Sequence, residues 1–148
     1  MAAGVAAGNG AMFVSTTLPA ARVRTGFVIP LRITSVVLIL TFLVQPITAG
    51  LFVTGRVGML TLHDLGATVA FAVVFIQLIA AILYRWPGGG SPRLIVGSVV
   101  MIVLITAQMY FGYTRALYIH FPLGVLLLTG AVQQAIAIWR PARTGGEA

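Results

Sequence analysis

Four long apolar stretches, uncharged except for Asp64 near the start of the second, dominate the chain, at about Ile33 to Val53, Leu62 to Tyr84, Leu94 to Thr114 and Ala116 to Trp139. Each is close to the ~20 residues that a helix needs to cross ~30 Å of hydrocarbon. None alternates apolar and polar positions with period two, as barrel strands do, so the stretches predict spanning helices. Between the second and third, Pro87-Gly88-Gly89-Gly90-Ser91-Pro92 ends one helix and permits the next to start. The pattern predicts an all-α integral membrane protein, a four-helix up-down bundle. Its expected divisions are a flexible cytoplasmic segment over 1–30, the bundle over 31–141 and a flexible tail over 142–148. The N-terminal segment has no basic region leading into a long apolar run, so a cleavable signal peptide is not expected.

Composition strengthens the membrane reading. Apolar residues make up 59% of the chain, mean hydropathy is +1.07, and nine arginines with two acids are the only formal charges. Soluble domains carry roughly a quarter of their residues charged. Arg22, Arg24, Arg32, Arg85, Arg93, Arg140 and Arg143 fall on one side of the four spans, Arg56 and Arg115 on the other. Under the positive-inside rule this places both termini in the cytoplasm of a cell containing this multi-pass chain in its membrane. Trp86 and Trp139 end spans beside arginines, as interfacial tryptophans do. The net charge of +7 is divided among membrane margins and forms no stripe, so nucleic acid is not an expected partner. The chain has no cysteine, hence neither disulfides nor thiolate metal sites. It has no lysine either, and with its abundant Ala, Gly, Val and Arg it has the composition of a GC-rich bacterial coding sequence.

The few polar residues inside the spans recur. Ser35-Val36-Val37, Gln45, Gly50, Arg56, His63, Gly66 and Gln77 are followed in the same order by Ser98-Val99-Val100, Gln108, Gly112, Arg115, His120, Gly124 and Gln134. His63 and His120 are the only histidines, and each precedes its Gln by 14 residues. The chain reads as two tandem two-helix repeats, about 33–86 and 94–140.

In a square bundle with neighbouring axes 8–10 Å apart, the second and fourth helices lie on a diagonal of about 13 Å. That width suits a flat porphyrin held edge-on, its iron bound by one imidazole from each side. His63 and His120 stand on this diagonal near the extracytoplasmic end and are the candidate metal ligands of one haem b. Gly50, Gly112, Gly66 and Gly124 are candidate cofactor-binding positions, where a ring can approach backbone. Arg56 and Arg115, in the outer connections, are candidates for pairing with haem propionates; simple interfacial anchoring is the competing reading. Small residues on spanning faces also permit close helix packing with no cofactor at all. Gln45, Gln77, Gln108 and Gln134 are expected to point inward and hydrogen-bond between helices, a quinone headgroup being the other contact open to them. Thr61 and Asp64 fit a capping box at the start of the second span. Pro46 is expected to kink the first span, and Pro122 to sit in a tolerated first turn of the fourth.

Histidines at the outer ends of the second and fourth spans, with Gln and Gly late in the first and third, resemble one half of the haem A synthase family. They also resemble small bacterial four-span membrane proteins with a Gln-to-Gly stretch and a Leu-His-x-x-Gly motif, here Leu62-His63 to Gly66. The likeness covers Ile33 to Trp139 and implies b-type haem on His63 and His120. The family's Glu three residues before its outer-loop histidine is Leu60 here, and its paired loop cysteines are missing, which argues against haem hydroxylation. Bis-histidine iron has no open coordination position. The expected function is therefore electron transfer near the extracytoplasmic face, by a redox carrier rather than an enzyme with its own substrate. Its partners would be the lipid bilayer and a redox protein or quinone, within a homodimer or larger membrane complex. The alternatives are a cofactor-free membrane scaffold or accessory subunit, and a haem-handling or transport module.

Overall fold

The computed structural model describes residues 25–140. A 3₁₀ turn, Thr25–Phe27, leads into four helices: α1 Val28–Val53, α2 Met59–Arg85, α3 Arg93–Tyr113 and α4 Leu117–Trp139. All four are long and apolar enough to cross a membrane, and large apolar side chains cover the outside of the bundle. The chain is thus a multi-pass membrane protein whose surroundings are lipid. The helices form a closed ring in which α1 packs on α2 and α4, and α3 packs on α2 and α4. α2 and α4 stand on a diagonal with no backbone approach between them. Expected segments before residue 25 and after residue 140, with Arg22, Arg24 and Arg143, lie outside the described residues.

Helix positions follow the hydropathy pattern, with α2 starting three residues before Leu62 and the largest difference at the start of α1. α1 begins at Val28, five residues before Ile33, and so takes in Arg32. The Arg32 guanidinium lies 4.8 Å from the Trp139 ring centre, and Trp139 Nε1 donates to Ser35 Oγ at 3.4 Å. A long cation whose stem lies on apolar surface need not end a helix. These contacts close the terminal end of the bundle, where α1 begins and α4 ends. The apolar core has two parts. Leu38, Phe42, Ala70, Val74, Met101, Ile105, Leu127 and Ala131 fill the middle, and Leu31, Ala80, Ala81, Leu94 and Ile138 fill the terminal end. Below the middle layer Gln77 Nε2 donates to Gln134 Oε1 across the diagonal. The repeat thus becomes a two-fold relation about the bundle axis, with histidines paired at one end and glutamines at the other.

The α1–α2 and α3–α4 connections use one device. α1 ends with Gly55 at φ +97°, its N–H bonded to Phe52 O and that of Arg56 to Leu51 O; α3 ends with Arg115 at φ +58°, its N–H bonded to Gly112 O and that of Ala116 to Phe111 O. This is the left-handed cap that satisfies the last carbonyls of a helix. It also changes the register of the repeat. Arg115 takes the place of Gly55, not of Arg56, and the interval from glutamine to cap is ten residues in α1 against seven in α3.

Two local expectations are corrected. The Thr61–Asp64 capping box does not form, because α2 begins at Met59 after Gly58 with no side-chain cap, which puts Thr61 inside the helix. Asp64 instead accepts from Tyr113 Oη at 2.6 Å, which joins α2 to α3. Pro122 is the sixth residue of α4, past the first turn, so the helix gives up one backbone hydrogen bond there. α1 continues through Pro46.

Candidate functional site

The half of the bundle away from the start of α1 and the end of α4 brings His63 and His120 together, ring centres 6.0 Å apart and planes inclined at 53°. Their protonation is set by what they touch. His63 Nδ1 lies 3.2 Å from Gln45 O and His120 Nδ1 lies 2.9 Å from Gln108 O. A carbonyl can only accept, so each Nδ1 carries a proton, and in the neutral ring Nε2 keeps its lone pair. Thr48 Oγ1 is a further neighbour of His63 Nδ1, at 3.2 Å. Imidazoles that bind metals are commonly held this way, the distal N–H anchored and the other nitrogen bare.

A chamber of about 160 Å³ is lined by both rings and walled by Gln45, Ala67, Ala70, Gln108, Phe121 and Gly124 among others. Glycines make room in it for the glutamines. A Cβ on Gly66 would overlap Gln45 Nε2, and one on Gly124 would stand 3.1 Å from Gln108 Nε2. Neither amide is fully satisfied: Gln108 Nε2 donates to His120 Nε2 at 3.2 Å, while Gln45 Nε2 and Gln108 Oε1 are buried without partners. Buried polar atoms without partners are uncommon and costly. Gln45 therefore reaches across to α2 through its backbone carbonyl rather than its amide, unlike the cross-helix side-chain bond expected of it.

The remaining candidates occupy different surroundings. A Cβ on Gly112 would come within 3.0 Å of His120 Cε1, whereas one on Gly50 would meet nothing within 4 Å. The register explains the difference: Gly112 lies four residues after Gln108, one helical turn on and on the same face. The residue four after Gln45 is Ala49, and Gly50 is turned away from that face. Arg56 and Arg115 are exposed in the α1–α2 and α3–α4 connections. Sequence reasoning singled out both histidines but missed the carbonyls of Gln45 and Gln108 as their anchors, and also Thr48 and Tyr113. The recurrence of Gln45 and Gln108 was the available signal.

Among the described residues no group of three or more His, Cys, Asp and Glu side chains gathers to hold a bare metal ion. No family model, no curated protein and no solved structure matches this chain.

Proposed function

We propose that this chain is a small b-type haem protein of the cell membrane, with His63 and His120 as axial ligands, transferring electrons near the extracytoplasmic face. The observation that carries the reading is the pair of diagonal imidazoles, 6.0 Å between centres, each with Nδ1 anchored on a carbonyl. A separation of 6.0 Å between ring centres is of the size that one metal ion shared by two imidazoles, at ~2 Å from each nitrogen, would need. Two imidazoles alone underfill the four positions of a zinc site. A porphyrin brings four ring nitrogens of its own, so two protein ligands complete the iron.

Fit to the group rests on the glycine notches. The chamber of about 160 Å³ is below the ~300 Å³ at which ligand pockets begin, so seating a porphyrin requires Gln45 and Gln108 to leave Gly66 and Gly124. Those amides are weakly held, and the single bond of Gln108 uses the lone pair on His120 that iron would take. When bound, the haem supplies a one-electron redox centre. The chain positions two nitrogens, fixes their tautomer and surrounds them with an apolar wall. The arginine distribution supports cytoplasmic termini, and with them histidines near the outer face. The bond from Gln108 to His120 also supports a second reading, in which the histidines serve packing alone.

A visible spectrum separates the two. Protein purified from haem-sufficient cells is expected to show the sharp reduced α band of a low-spin b-type centre; a colourless, haem-free preparation would leave the packing role.

A further inference from the structure

The two-fold relation breaks down at the sides of the chamber. Toward α2 and α3, Tyr113 Oη bonds Asp64 and ties those helices together at the histidine end. The residue after the other histidine is Phe121, which has no such bond to give, and among the described residues no side-chain hydrogen bond joins α1 to α4 at this end. Pro46, Ala49 and Phe121 line the chamber and also an apolar groove that continues along Gly50, Val53 and Thr54. The chamber therefore opens sideways between α1 and α4, at a level where the surroundings are lipid. Inside the chamber that this opening reaches, Gln45 rests its buried amide nitrogen against Gly66 of α2, with an N–H that has no acceptor.

An occupant of this opening must come from the hydrocarbon, be flat enough to pass between two helices, and present an uncharged acceptor to Gln45. No charged side chain lines the chamber or the groove, so a phosphate or carboxylate headgroup would lie there unpaired. We propose that the α1–α4 opening binds a lipid-soluble quinone, one ring oxygen accepting from Gln45 Nε2 and the isoprenoid tail lying along Ala49, Gly50 and Phe121. The haem reading gives this site its role as the meeting point with an electron partner; binding itself depends only on the opening and the amide.

The test is photolabelling of the full-length protein in quinone-free nanodiscs, with an azido-benzoquinone bearing a decyl tail and excess unlabelled decyl quinone as competitor. Competable label is expected on residues 46–54 and 121–125. Gly50→Trp fills the groove from a position whose Cβ meets nothing and should reduce the label to background, while Gly58→Trp, in the α1–α2 connection and equally unobstructed, should leave it unchanged. Gln45→Leu removes an amide that no residue engages and should weaken binding about fivefold, the loss of one neutral hydrogen bond. Label spread evenly over lipid-facing residues, or equal in Gly50→Trp and wild type, would overturn the site. Competable label on a haem-free protein would uphold the quinone site while removing the haem reading, and a haem-replete protein without such label would do the reverse.

Discussion

The glutamine pair of the lower core offers a quantitative test of the two-fold arrangement. Gln77 is 1% exposed and donates to Gln134 Oε1, while its own Oε1 has no partner. Gln134→Leu removes the acceptor and leaves the whole Gln77 amide unpaired among apolar side chains, a cost of about 1–3 kcal/mol for the stranded group, partly offset by the added apolar surface. Gln77→Leu strands Gln134 Oε1 but eliminates an acceptor already unpaired, so it should cost less. In the double variant neither stranded group remains, and stability should return close to wild type. The cycle should give a coupling of roughly 0.6–1.7 kcal/mol, between the average and the maximum for hydrogen bonds between membrane helices. Reversible unfolding in mixed micelles with increasing SDS, followed by circular dichroism, measures all four corners. Single costs that simply add, or Gln77→Leu more damaging than Gln134→Leu, would refute the pairing.

Other expectations concern the site and its orientation. Gly112→Ala places a methyl 3.0 Å from His120 Cε1 and 3.2 Å from Nδ1; it should weaken haem retention about fivefold by pushing the ring off the Gln108 carbonyl, measured as the fraction of haem lost to a scavenger, with wild-type retention contradicting the contact. Gly124→Ala meets only an amide that must move in any case, and should be milder in the same assay. Because the chain has no cysteine, Thr54→Cys should react with an impermeant maleimide on intact cells and Ser91→Cys only after permeabilisation; the opposite pattern would invert the topology. Arg56→Gln and Arg115→Gln each remove a positive charge, which disfavours adding an electron. Midpoint potentials should fall by on the order of 10–20 mV for exposed charges in a water-like dielectric, and potentials equal to wild type would leave both residues as membrane anchors.

The spans were legible because lipid imposes a single demand, an unbroken apolar run of bilayer length, and hydropathy reads it directly. The start of α1 was not: Arg32 looked like a boundary, yet its guanidinium finds the Trp139 ring from within the helix. The histidine pair was legible through its recurrence. Its anchoring was less so, since nothing in the residue type of Gln45 or Gln108 says that the backbone carbonyl rather than the amide will meet the imidazole. Gly50 and Gly112 show a further limit. Both follow a glutamine closely, but a difference of one residue is about 100° of rotation on a helix, enough to separate a contact with His120 from open surroundings. Asp64 carried a local capping signal that the longer-range bond to Tyr113 overrode.

The central claim, that His63 and His120 ligate one haem, is tested most directly by their alanine variants purified from haem-sufficient cells. The account predicts that His63→Ala and His120→Ala each lose the low-spin, six-coordinate spectrum and that added imidazole restores it by filling the vacated axial position. A wild-type low-spin spectrum retained in both variants without imidazole would contradict it.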